Sequence, residues 1–116
     1  MSHSLEVCSV SDIAPNSGRA VLVDGKQIAI FRICTDTGDQ FFAIDNFCPF
    51  SKANVLSRGI IGSLKGKLVV ASPIYKQHFC LESGACLEDK SVSVNTWPVI
   101  QEGEKLVVSC KKCIAA

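Results

Sequence analysis

Five turn signals punctuate the chain: Asp24-Gly25, Thr37-Gly38-Asp39, Lys65-Gly66, Ser83-Gly84 and Glu102-Gly103, each between short apolar runs. Aspartate and glycine tolerate the left-handed backbone angles of tight reversals, so this spacing predicts a chain that repeatedly turns back on itself. The flanks have strand composition: Ala20–Val23 and Gln27–Ile33 around Asp24-Gly25, then Phe41–Ile44, Leu68–Ala71, Ser91–Asn95 and Leu106–Ser109, all short and rich in Val, Ile or Phe. No stretch of twelve or more residues keeps a clean 3.6-residue apolar period. A single helical turn is predicted around Ser11–Ala14, with Ser11 as its cap and Pro15 as its stop. Many short strands at fairly regular spacing predict an all-β antiparallel sandwich or small barrel. With no linker, repeat or low-complexity segment, one domain is expected over residues 1–116, with a core of about 5–109 and a flexible tail at 110–116.

Composition removes several function classes. A formal charge of +1, from 12 Lys+Arg against 11 Asp+Glu, gives no clustered positive potential for nucleic acid or an anionic membrane. Met1–Val10 lacks the basic and apolar regions of a signal peptide, and no apolar run reaches 18 residues, so the expected location is the cytoplasm. A domain of this length buries roughly two thirds of its unfolded surface and needs no disulfide staples. The seven cysteines (Cys8, Cys34, Cys48, Cys80, Cys86, Cys110, Cys113) are accordingly expected to stay reduced and to pack as small hydrophobes.

Two stretches fit the strand pattern poorly: Phe47–Gly59, containing Cys48-Pro49-Phe50, and Ser72-Pro73-Ile74-Tyr75-Lys76-Gln77. Both are predicted loops on a β scaffold, a common seat of function. The pair resembles the cluster-binding loops of Rieske proteins, where Cys-x-His in one loop and Cys-x-x-His in the other hold a [2Fe–2S] cluster. The matching positions here are Cys48 and Phe50, then Ser72 and Tyr75, inside a frame of Asn46, Pro49, Leu56-Ser57-x-Gly59, Pro73, Phe79, Leu81 and Gly84. Phe50 has no lone pair to donate. The Ser72 hydroxyl deprotonates far less readily than a thiol, and the Tyr75 phenol, with a pKa of about 10, stands where a neutral imidazole is needed. A conventional Rieske cluster is therefore not expected, and neither a catalytic nor a metal-binding residue is assigned to this chain.

This pattern of loss resembles a narrower family. Val55-Leu56-Ser57-Arg58-Gly59-Ile60-Ile61, Val70-Ala71-Ser72-Pro73-Ile74-Tyr75-Lys76-Gln77-His78-Phe79 and Cys86-Leu87-Glu88-Asp89 look like the small subunit of assimilatory-type NAD(P)H nitrite reductase, the NirD family, over roughly Leu5 to Ser109. The resemblance implies a Rieske-like sandwich with a small loop and hairpin subdomain, free of its own cofactor. It also implies a cytoplasmic partner, a large subunit carrying FAD, siroheme and an iron–sulfur cluster that reduces nitrite to ammonium. No Gly-x-Gly-x-x-Gly motif and no cysteine array for a [4Fe–4S] cluster occurs in this chain, so those groups are expected on the partner. The alternatives are a Rieske-type ferredoxin serving an oxygenase, which requires a cluster, and an adaptor or regulatory domain with another partner.

If the loops project as in Rieske proteins, Phe50, Ile74 and Tyr75 supply apolar volume where a cluster would sit. They are expected to plug that space or, with Pro49 and Pro73, to form an exposed apolar anchor for a partner, and both hold at once if one side chain turns in and another out. Cys48 is expected in an accessible loop. Cys110-Lys111-Lys112-Cys113 has the spacing of a zinc or thioredoxin half-site but lacks its companions, and a frayed tail with two incidental thiols is expected. Cys80 and Cys86, flanking Ser83-Gly84, are expected as free thiols. His3 is expected in a disordered terminus, and His78 as a polar residue of a strand without a catalytic companion.

Overall fold

A computed structural model describes residues 3–23, 25–64, 66–74, 76–89 and 91–110, with backbone alone at 3–5, 109 and 110. Among them run β1 (His3–Ser9), β2 (Ser17–Val23), β3 (Lys26–Thr35), β4 (Gly38–Asp45), β5 (Phe47–Cys48), β6 (Ala53–Asn54), β7 (Ile60–Leu64), β8 (Lys67–Ala71), β9 (His78–Cys80), β10 (Thr96–Trp97), β11 (Val99–Glu102) and β12 (Lys105–Cys110). They form an antiparallel sheet β1-β12-β11, a second sheet β10-β4-β3-β2, the two-stranded β5-β6 and a small sheet β7-β8-β9. Short 3-10 turns occupy Val10–Asp12 and Leu56–Arg58. The expected all-β sandwich with a loop-and-hairpin subdomain is the observed architecture.

β3 organises the core because it is apolar on both faces. Ile28 and Ile30 point into a cluster with Ile13, Val23, Ala43, Trp97, Leu106 and Val108, closed by the β1-β12-β11 sheet. Ala29, Phe31 and Ile33, pointing the other way, join Cys48, Leu56, Val70, Phe79, Leu81 and Cys86 beneath the loops. Strand alternation sends successive side chains to opposite faces, so one strand serves two cores. Gly18 on β2 brings the Leu56–Arg58 turn close to this sheet. A Cβ there would fall 2.6 Å from the Phe31 ring and 2.8 Å from the Ser57 carbonyl oxygen, closer than real side-chain contacts allow. Gly25 turns from β2 into β3 at φ +81°, the left-handed angle its turn signal predicted; Asp24 and Lys65 lie outside the described residues.

Several expectations need correction. Ser91–Asn95 is not a strand, although Ala85 and Ser93 form an isolated bridge. Its hydrogen bonds go to three separate segments: Val92 N–H to Asp89 O at 3.0 Å, Val94 N–H to Gly84 O at 2.8 Å, and Asn95 N–H to the Asp45 carboxylate at 3.3 Å. The apolar alternation is genuine, but no neighbouring strand offers a continuous ladder. The helical turn begins two residues earlier than predicted. Asp12 Oδ2 accepts the Ser9 N–H at 2.9 Å, making Ser9 the capping position in place of Ser11. His3, expected in a disordered terminus, begins β1 and pairs with Cys110 at the end of β12; residues 111–116, with the rest of the predicted tail, lie outside the described residues.

Candidate functional site

The first loop is held by one buried side chain. Asn46, 1% exposed, follows β4. Its Oδ1 accepts the Ser57 N–H at 2.7 Å, and its carbonyl oxygen accepts the N–H groups of Val55 and Leu56 at 3.0 and 3.1 Å. Its Nδ2 donates to Gln27 Oε1 at 3.0 Å. Irregular backbone cannot satisfy its own polar groups when buried, so an amide side chain that both donates and accepts closes the loop. Between these anchor points β5 and β6 form a minimal ladder, and Lys52, at φ +56°, returns its N–H to Cys48 O at 2.7 Å.

The second loop is tied at its base by Ser72, also 1% exposed. Ser72 N–H donates to Gln77 O at 2.9 Å, Lys76 N–H donates to Ser72 O at 3.0 Å, and Ile74 N–H reaches Ser72 Oγ at 3.4 Å. Cys48 Sγ and Ser72 Oγ lie 3.6 Å apart, so the structure brings together one ligand position from each loop. Cys48 is fully buried in the core, a correction to its expected accessibility. Burial pushes its thiol up, but the polar groups of Ser51, Ser72 and the Phe50 main chain around the sulfur outweigh this and hold it below the ordinary thiol value.

Phe50 is half-buried and turned inward, its ring centroid 6.1 Å from that of Phe79 in a tilted arrangement. Pro49 is half-buried, Pro73 is exposed and Ile74 is 50% exposed. Tyr75 lies outside the described residues. Phe50 and Ile74 therefore divide the two expected roles, one packing beneath the loops and the other facing outward.

Cys80 and Cys86 are free and buried, as expected. His78, expected as a strand residue without a catalytic companion, has a hydrogen-bonded side-chain partner. Its Nδ1 is 2.6 Å from Glu88 Oε2, and Glu88 Oε1 accepts the His78 N–H at 2.7 Å. Partial burial pushes the Glu88 carboxyl up, but the bonds from the His78 main chain and ring outweigh it and hold it below the usual carboxylate range. The Leu87 N–H returns to His78 O at 2.9 Å, so the pair pins residues 86–89 to β9. Glu88 stands ten residues from His78, and no local sequence signal announces the contact.

The residues at this site do not fit a [2Fe–2S] cluster. A Rieske centre needs two thiolates and two imidazoles. Here one thiol faces a hydroxyl, and an aromatic ring packed on Phe79 stands at a third position. Among the described residues, no group of three or more His, Cys, Asp or Glu side chains is arranged to hold a metal ion. No helix among them is long and apolar enough to cross a membrane. What the arrangement provides is two loops locked to one apolar core, with Pro73 and Ile74 facing outward.

Comparison with known proteins gives this geometry a family. The family model of the Rieske-like [2Fe–2S] domain matches residues 4–109. The small subunit of NADH nitrite reductase from Salmonella typhimurium is 48% identical over 94 residues, covering 81% of this chain and 85% of that protein. The NAD(P)H nitrite reductase large subunit of Klebsiella oxytoca is 38% identical over 109 residues, covering 94% of this chain and 11% of that one. The solved structure of Escherichia coli NirD is 39% identical, covers 96% of this chain and 99% of that chain, and superposes with a TM-score of 0.86. A carbazole dioxygenase ferredoxin from Nocardioides aromaticivorans, at 23% identity and a TM-score of 0.76 over 90% of this chain and 95% of that one, shares the fold alone. The chain belongs to the Rieske-like domains and, among them, to the family of nitrite reductase small subunits.

Proposed function

We propose that the chain is the small, cofactor-free subunit of a cytoplasmic NAD(P)H-dependent nitrite reductase, reducing nitrite to ammonium, and acts by docking on the catalytic large subunit. The observation that carries this reading is the altered donor set inside a preserved loop frame: Cys48 faces Ser72, and Phe50 packs on Phe79. A domain so built is suited to shape recognition rather than electron transfer. FAD, siroheme and an iron–sulfur cluster then reside on the large subunit. The loop tips, Pro49, Phe50, Pro73, Ile74 and Tyr75, form the docking surface, with exposed Pro73 and Ile74 meeting the partner and Phe50 fixing the loop beneath them. The stretch of the Klebsiella oxytoca large subunit that resembles this chain supports the pairing, because there a sequence of this kind lies within the large subunit's own polypeptide.

The test uses the purified chain with apo and holo large subunit. Binding by calorimetry, together with a change in nitrite-dependent NADH oxidation, is the expected result. Absence of both overturns the reading.

A further inference from the structure

Among the described residues, β7 is an open sheet edge, hydrogen-bonded to β8 alone. Among the described edge strands longer than three residues, β1 carries Glu6, β2 carries Arg19 and β11 carries Glu102. β7 reads Ile60-Ile61-Gly62-Ser63-Leu64, with no charge and no proline. Exposed edges present unpaired N–H and C=O groups that template another strand, and proteins blunt them with charge, proline or bulges. β7 carries none of these guards, and its ladder with β8 is unbroken.

The ladder fixes which groups face outward. Antiparallel pairs alternate between hydrogen-bonded and non-bonded. Leu68 O accepts the Leu81 N–H at 2.9 Å, so the main-chain groups of Leu68 face away from β7. Its partner Ser63, and by alternation Ile61, therefore turn their N–H and C=O groups away from β8 to the open edge. On the solvent face Ile60 is 76% exposed, and the space where a Gly62 side chain would stand is open.

We propose that a second copy of this chain pairs on this edge, antiparallel about a two-fold axis through Gly62. The five-residue strand is self-complementary under that operation. Ile61 meets Ser63 of the second copy on each side of the axis, and each such pair exchanges two N–H···O=C bonds through groups already facing outward. Gly62 meets Gly62 at the non-bonded position, where side chains approach closest, and neither has one to clash. Ile60 meets Leu64, apolar against apolar. Within the five-residue strand no like charges oppose one another, and the two small sheets become one of six strands. A single strand pair is far smaller than a standard interface of about 1,600 Å², so the association is weak and concentration-dependent. This inference rests on β7 and is independent of the proposed partner.

Sedimentation velocity from about 5 to about 500 μM tests it. The expected result is a sedimentation coefficient rising from monomer towards dimer. Ser63→Pro removes an outward N–H while sparing the β8 ladder, and weakens the association about ten-fold or more. Ile60→Lys, at an exposed position, weakens it similarly whether or not the proline variant folds. Adding Leu64→Glu to Ile60→Lys places opposite charges across the axis and restores the dimer. A wild-type chain that stays monomeric throughout, or a dimer indifferent to both single changes, overturns the proposal. Edge variants that leave a monomeric chain unchanged yet weaken binding to the large subunit also overturn it, assigning the edge to a strand of that partner.

Discussion

The two faces of β3 are covered in different ways. Ile28 and Ile30 lie against a regular sheet whose backbone bonds are made in ladders, whereas Ala29, Phe31 and Ile33 lie beneath loops whose backbone is satisfied piecemeal. A core closed by a sheet depends mainly on packing volume. One closed by loops depends also on the few polar side chains that fix the covering chain, here Asn46 and Ser72. In this protein the loop-covered face also holds every described ligand position, so the proposed function rests on the more individually anchored half.

Four experiments sharpen this contrast. The largest effect is expected from Phe79→Ala, which empties a fully buried site and removes the ring under Phe50, at about 3–5 kcal/mol in urea denaturation. An equal loss from Ile30→Ala is compatible with the contrast only if hydrogen exchange at Val55–Ser57 accelerates selectively in Phe79→Ala. Ile74→Asp is expected to weaken binding to the large subunit by about 1–3 kcal/mol, because a carboxylate is desolvated where this exposed side chain meets the partner; unchanged affinity with unchanged folding moves the interface elsewhere.

Asn46→Ala removes the side-chain acceptor of the Ser57 N–H and the donor to Gln27, and is expected to cost about 1–3 kcal/mol, with lost exchange protection concentrated at Ser57. Uniform loss across both sheets would break the distinction between the faces. The smallest effect belongs to Glu88. Its carboxyl is depressed in the folded state, so its stabilisation is complete above its ordinary value of 4.5 and is lost as pH falls through the lower folded-state value. The pair is largely exposed and screened, so Glu88→Gln should change stability by less than about 1 kcal/mol near neutrality, with the difference from wild type vanishing in acid.

The sequence announced the sandwich through its turns, because a glycine at a tight reversal is a local requirement. Gly25, Gly38, Gly66, Gly84 and Gly103 all have positive φ, at the five predicted points. The strands around Asp24-Gly25 followed in position, although β2 and β3 run beyond the predicted Ala20–Val23 and Gln27–Ile33, while β7, before Lys65-Gly66, was not predicted. Ser91–Asn95 misled because alternation reports burial and not the presence of a pairing neighbour. β1 and β11 were invisible because their pairing with β12 depends on contacts distant in sequence or on a run too brief to stand out.

At the site, the ligand positions were legible from Cys48-Pro49-Phe50 and Ser72-Pro73, since proline and donor type are written in the residues themselves. Asn46 was visible only as part of the frame; its role in closing the first loop emerges from two side-chain bonds, to Ser57 and Gln27, and two main-chain bonds, from Val55 and Leu56. The burial of Cys48 and the His78–Glu88 pair were not legible, because both depend on how the loops fold back onto β3 and β9.

Iron and acid-labile sulfide analysis of the chain purified without exposure to air, with its visible absorption spectrum, decides whether Cys48, Phe50 and Ser72 leave the loops unable to hold a cluster. A colourless protein without stoichiometric iron or sulfide is expected. A reddish-brown protein carrying two irons and two sulfides per chain would contradict it.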